Sequence, residues 1–401
     1  MKYDFTSHME RHGKDAIAVD GLGNGLAPDA PEEGFDAIPM WVADMNFPTV
    51  PTITDAIIER TKHPAFGYFS PTDEYFDSII KWQETRNGVE GLTKECIGYE
   101  NGVLGGVLST LASFMEPGDK VLLHSPTYIG FTMSLKNNGY EIVHSPLKID
   151  DEGVWRMDFE DMEKKLAEGN IHAAVFCSPH NPCGRVWEKW EIERAMELYK
   201  KYDCVVVSDE IWSDLILPGH KHVPTQSVSE DARQRTVALY APSKTFNLAG
   251  LVGSYHVIYN KYLRDRVTAR SSKCHYNEMN VLSMHALIGA YKPEGYEWVD
   301  ELTQVLGGNV DWACDYIAEH FDGVTVQKPE GTYMLFLDCT EWCKEHGHDI
   351  EWVEKQLWRV GVDVQDGRMF HGPSHLRVNL ALPLDRVKEA FGRMDKYVFN
   401  A

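Results

Sequence analysis

The chain has 401 residues, 43% hydrophobic and 25% charged, a soluble composition with room for two domains or for a large domain and a satellite. Lys and Arg total 39 against 61 Asp and Glu, a formal charge of −22, and so acidic a surface argues against nucleic acid as a ligand. No run approaches the ~20 apolar residues that span a bilayer, and the charged opening MKYDFTSHME lacks a signal-peptide core, so no membrane partner and a cytoplasmic location are expected.

In chain order, nothing in residues 1–50 forms a core alone, and this segment is expected to pack against the C-terminal part. Asn101-Gly102-Val103-Leu104-Gly105 opens a predicted helix. Apolar runs then read as buried strands at Val121–His124, Ala173–Cys177, Cys204–Val207 and Thr236–Leu239. Amphipathic helical patterns lie between them, at Met157–Ala167 and Lys189–Lys201. Such alternation implies crossover connections and a mostly parallel sheet covered on both faces. After about residue 290 the texture changes: a helix at Tyr296–His320, strands at Val324–Asp338 and Leu376–Leu382, and a terminal helix. The fold class is therefore α/β, with a large domain over 51–289 and a smaller α+β domain from 1–50 plus 290–401.

Eight cysteines are scattered without a disulfide framework, as reduced thiols in a cytosol would be. Cys339, Cys343, His346 and His348 have spacings that zinc accepts. The polar residues among them read instead as a helix start after a strand, with no second ligand pair nearby, so no metal is expected.

Three patterns fall at the C-terminal ends of predicted strands, where open α/β sheets bind ligands. They are Ser178-Pro179-His180-Asn181-Pro182-Cys183-Gly184, Val207-Ser208-Asp209-Glu210-Ile211-Trp212 and Ala241-Pro242-Ser243-Lys244-Thr245-Phe246-Asn247. Alone, each reads as a turn, a helix cap or a solvated lysine. Together they set an amide, a carboxylate and an amine at successive strand ends, as a pyridinium cofactor requires. The amine forms an imine, the carboxylate keeps the ring nitrogen protonated, and the amide donates to the ring oxygen.

With these motifs the chain resembles the fold-type-I pyridoxal-phosphate (PLP) enzymes of the class I/II aminotransferase superfamily, and within them the MalY/PatB-type C–S lyases. The likeness runs from Trp41-Val42-Ala43-Asp44-Met45 to Leu376-Arg377-Val378-Asn379. The resemblance implies that Lys244 is the catalytic lysine that carries the cofactor, beside Ser243. It implies that Asp209 pairs with the ring nitrogen, that Asn181 donates to the ring oxygen and borders the substrate carboxylate, and that Tyr128 stacks on the ring. The phosphate would lie on the N–H groups at Val103 and Leu104, at a helix N-terminus. Tyr68 would reach the phosphate of a neighbouring subunit, which makes the protein a homodimer with shared sites. Arg377 would grip the carboxylate of an amino-acid substrate as a two-pronged pair.

The departures bear on the reaction. Aminotransferases of the superfamily carry Ser-x-Ser-Lys and an arginine eight residues after the lysine, whereas Ala241 and Val252 stand here, as in C–S lyases. Trp212 occupies a position where relatives carry Tyr or His, and an indole N–H donates but does not relay protons. Ile129 stands where cystalysin-like enzymes carry a second tyrosine, and Asn46 replaces a family aspartate. The expected activity is β-elimination from cystathionine or cysteine S-conjugates, with an aminotransferase as the alternative and a PLP-binding regulatory protein as a minor one.

Overall fold

The computed structural model describes residues 1–274 and 277–401. Short β-branched runs alternating with amphipathic helices build a sheet of eight strands. In spatial order these are Ile97–Asn101, Gly253–Val257, Thr236–Tyr240, Val205–Asp209, Ala173–Cys177, Lys120–Ser125, Glu141–Ile149 and Trp155–Met157. The five from Thr236–Tyr240 to Glu141–Ile149 run parallel, while Gly253–Val257 and the edge strand Trp155–Met157 are reversed. Ala173–Cys177 and Thr236–Tyr240 are buried at every residue, as a sheet covered on both faces demands. Parallel pairing sets Cys177 opposite Asp209 and Asp209 opposite Leu239, so these strands end along one edge. Strand order reverses between Lys120–Ser125 and Ala173–Cys177, which opens a crevice beyond their carboxyl ends.

A second sheet of four antiparallel strands is ordered Thr325–Val326, Met334–Asp338, His375–Asn379, Gln365–Asp366. The 28-residue helix Pro293–His320 buries Trp298, Leu302, Leu306 and Val310 along one stripe. Ile38–Pro39 pairs in parallel with Val362–Asp363, and Phe5 packs on Phe47 and Trp298, so the N-terminal arm does join the C-terminal elements.

Element boundaries differ from the sequence reading in ways with local causes. The run Val324–Asp338 is not one strand but two, Thr325–Val326 and Met334–Asp338, separated by Pro329-Glu330-Gly331. Proline cannot donate to a ladder, and the amides of Glu330 and Gly331 turn away to the carbonyl of Gly184. The helix read from Met157 starts at Phe159. Asp158 caps it by accepting from the amide of Asp161, which leaves Met157 to the edge strand. The long helix begins at Pro293 rather than Tyr296, since proline suits a first helical position.

The motif loops are fixed from behind. Gly184 has φ +65°, and a Cβ there would sit 2.3 Å from Pro329 Cβ, so the loop of Asn181 closes onto the second sheet only with glycine. Phe246 is fully buried and stacks on Trp298 at 5.5 Å, which pins the turn carrying Lys244. Truncating such a ring costs about 3–5 kcal/mol. Cys343 donates its amide to the Cys339 carbonyl, His346 stacks on Trp342, and His348 stacks on Trp352.

Candidate active site

The crevice deepens into a cavity of about 200 Å³. Its walls come from the three strand-end motifs together with Gly102, Val103, Leu104, Tyr128, Ala249, Val252, Gly253 and Ala43. Asn181, Asp209, Ser243, Lys244, Tyr128, Val103 and Leu104 therefore converge on one space, although they are drawn from widely separated parts of the sequence.

Asp209 ends its strand with the residue 5% exposed. Oδ1 accepts from the amide of Ile211 at 3.0 Å, and this is the side chain's hydrogen bond among the described residues. Burial raises its pKa from 3.8 to about 7, against the opposing amide of Ile211 and the Lys244 ammonium. Behind it, Glu210 points away and is satisfied by Ser208 Oγ, the amide of Thr225, His222 Nε2 and Tyr240 OH. Asp209 is thus the carboxylate left facing the cavity, and a cationic ring nitrogen would restore its ordinary ionisation.

Lys244 lies in a single helical turn, Pro242–Thr245. Nζ donates to the carbonyl of Ala43 at 2.9 Å and lies 5.8 Å from the Trp212 ring centre. Burial lowers its pKa from 10.5 to about 8, helped by the Arg377 charge and opposed by Asp44 and Asp209. A neutral fraction of the amine is then present near neutral pH, as a nucleophile or proton acceptor requires.

Asn181 Oδ1 accepts from Arg377 Nη1 at 3.3 Å, which orients the amide of a residue that lines the cavity. Arg377 is 3% exposed, and burial lowers its pKa to about 10. Nη2 donates to the carbonyl of Trp41 at 2.9 Å and to Gln365 Oε1, and the guanidinium packs 4.5 Å from the centre of the Phe370 ring. Its Nε is buried without a partner among the described residues. A substrate carboxylate would satisfy that donor.

Gly102, φ +78°, caps the helix Val103–Leu111. The amide of Gly106 makes the first helical bond, to Gly102, so those of Val103, Leu104 and Gly105 precede it at the positive end of the helix. This is a site for an anion such as phosphate. Val252 lines the cavity near Gly102, and its carbonyl accepts from Tyr99 OH at 2.8 Å.

Two of the expected residues do not line the cavity. Arg377 lies behind Asn181, and Tyr68 is fully exposed on the loop after the helix Pro51–Thr61. Other contributors were not singled out from sequence. Ile211 and Cys177 line the cavity, and the carbonyls of Trp41 and Ala43 hold the arginine and the lysine. The Trp41–Met45 run marks the place, but a backbone acceptor leaves no residue signature.

Comparison with known proteins accords with this arrangement. Cystathionine beta-lyase PatB of Bacillus subtilis is 32% identical over 393 residues, 98% of each chain. The structure of cystalysin from Treponema denticola, which contains a pyridoxal 5'-phosphate cofactor, superposes with a TM-score of 0.90 at 30% identity, over 99% of both chains. The PLP-bound C-S lyase of Staphylococcus hominis gives 0.89 at 28%, again over 99% of both. The family model for aminotransferase class I and II matches residues 37–394, and the chain belongs to that family.

Proposed function

We propose that the protein is a PLP-dependent carbon–sulfur β-lyase that cleaves cystathionine or cysteine S-conjugates to a thiol, pyruvate and ammonia. The observation that carries the choice of lyase over transferase is Val252, an aliphatic side chain on the cavity wall beside the helix N-terminus. Among the described residues, no arginine lines that cavity. The names of the relatives support the same reading.

The residues fit the cofactor. Lys244 would hold it covalently, Asp209 would face its ring nitrogen, Asn181 Nδ2 its ring oxygen and Tyr128 its ring, while Ser243 and the amides at Val103 and Leu104 would hold the phosphate. When bound, PLP supplies the sink for the electrons left on the substrate α-carbon. Arg377 would hold the α-carboxylate from behind Asn181, with Nε as the donor that has no partner among the described residues, and so fix the α-carbon. Lys244 would take the α-proton at Nζ, its depressed pKa leaving it competent as a base. Asp209 would stay ionised where it faces the ring nitrogen of a bound cofactor, and a thiol would leave from the β-carbon.

In the same reading residues 51–289 form the large domain, and 1–50 with 290–401 form the small one. Tyr68, exposed beside Phe66 and Phe69, serves the partner subunit's site in a homodimer. The eight cysteines are all free, which suits a reducing cytoplasm.

Product partition tests the reaction. Supplied with L-cystathionine alone, the holoenzyme should release pyruvate and ammonia continuously. Turnover that requires a 2-oxo acid and yields a new amino acid would make the protein an aminotransferase. Cofactor binding without either reaction would favour a regulatory role.

A further inference from the structure

The segment Trp41–Asn46 runs between the two cationic side chains of the site. Its Ala43 carbonyl takes Lys244 Nζ at 2.9 Å, and its Trp41 carbonyl takes Arg377 Nη2 at 2.9 Å. Two asparagines tie the segment down. Asn247 pairs with Met45 in both directions, Nδ2 to the carbonyl at 2.9 Å and Oδ1 from the amide at 3.1 Å. Asn379 Nδ2 bridges the carbonyls of Val42 and Asp44 at 2.8 and 2.6 Å, while its Oδ1 takes the amide of Ala381.

The placement of these anchors is systematic. Asn247 follows Lys244 by three residues on the same short loop. Asn379 follows Arg377 by two on one strand and therefore shares its face. Each working side chain thus travels with an anchor for the same strip. Asn247 also holds φ +58°, a left-handed conformation that asparagine tolerates better than most side chains.

We infer that Asn247 and Asn379 are positioning residues, which hold Trp41–Asn46 as a spacer between Lys244 and Arg377 and so set the separation of the amine from the carboxylate grip. The inference rests on the proposed roles of Lys244 and Arg377 but not on which bond is cleaved. With its amine free, Lys244 rests on the Ala43 carbonyl, and Asn247 keeps that acceptor in place. Asn379 keeps the Trp41 carbonyl on Arg377, so the guanidinium presents Nε rather than swinging.

The test reads the two ends separately. For the lysine, cofactor-free protein is mixed with PLP, and the rate of regain of visible absorbance is followed against pH. The wild-type midpoint should lie near the value of about 8 at Lys244. Asn247→Gly, which keeps the left-handed backbone, should lower that midpoint by about half a pH unit or more, because the acceptor of the ammonium drifts. For the arginine, propionate is titrated into holoenzyme through its effect on the absorbance. Asn379→Asp, which replaces two donated hydrogen bonds with repulsion, should weaken propionate about tenfold. Variants that keep both readouts and lose only thermal stability would overturn the inference. Should Asn379→Asp fail to fold, an unchanged midpoint in Asn247→Gly overturns it alone. Absence of lyase turnover in the wild type would refute the proposed reaction and leave both binding readouts standing.

Discussion

Replacing Asp209 by asparagine separates the cost of burying its carboxylate from what the carboxylate does. In the cofactor-free protein its pKa stands at about 7 against an ordinary 3.8. A displacement of ~3 pH units at ~1.4 kcal/mol each makes the ionised side chain about 4 kcal/mol unfavourable in the folded state. An acid whose folded pKa is raised keeps its proton in the native state at pH values where the unfolded chain has lost it. Stability is therefore full below pH 3.8, falls as the pH rises, and has lost this contribution above about 7. D209N keeps the shape of the side chain and removes the ionisation. Without cofactor, D209N should melt at the wild-type temperature near pH 4 and above it at pH 8.5. With PLP the order should reverse, because only the wild type gains a partner for the ring cation, and turnover of the variant should fall by orders of magnitude, about 10³ or more. Thermal melting of both forms across pH, with and without cofactor, measures the stability side, and a pyruvate assay the turnover. A cofactor-free D209N that is less stable than wild type at pH 8.5 would refute the reasoning, since the carboxylate would then act as a charged cap on the amide of Ile211.

Two further outcomes address the covalent link and the assembly. Borohydride reduction of the holoenzyme should fix PLP to Lys244, and Lys244→Ala should still bind PLP while losing nearly all turnover; a reduced adduct mapped to another lysine would refute the assignment. Mixed Tyr68→Phe and Lys244→Ala subunits should regain activity through hybrid sites with both groups intact, and a fully active monomer would contradict shared sites.

How much of this was legible in the sequence depended on what kind of atom does the work. Asp209, Asn181 and Lys244 would act through side chains, and their order along three strand ends already pointed to the one pocket that they line. Trp41 and Ala43 act through carbonyls, which every residue has, so only the fold places them against Arg377 and Lys244. The central strands were readable because a parallel sheet buried on both faces needs unbroken apolar runs, as in Ala173–Cys177. The Thr325–Asp338 hairpin was not, because its turn is decided by a distant acceptor, the Gly184 carbonyl. The long helix opens at Pro293 rather than Tyr296 because proline suits a first helical position, where its missing N–H costs nothing.

The distribution of charge within the cavity bears on the reaction more than any single residue. Lys244 lines the cavity and Arg377 lies behind Asn181, and burial weakens the hold of each on its proton. At the other end Val252 occupies a left-handed backbone position, φ +52°, that costs a β-branched residue about 1–2 kcal/mol. Its carbonyl is held by Tyr99 OH, and its side chain brings no charge to the helix N-terminus. An anion there relies on amide donors and the helix dipole, worth about 0.3–2 kcal/mol, where an arginine would add a charge-assisted pair. The covalent link to Lys244 would then add to a grip that the amides alone provide. A transferase must release that link and hold the cofactor through half of every cycle by non-covalent contacts alone. An elimination would return the cofactor to Lys244 in each turnover, and a helix N-terminus without an arginine in the cavity lining suits that cycle.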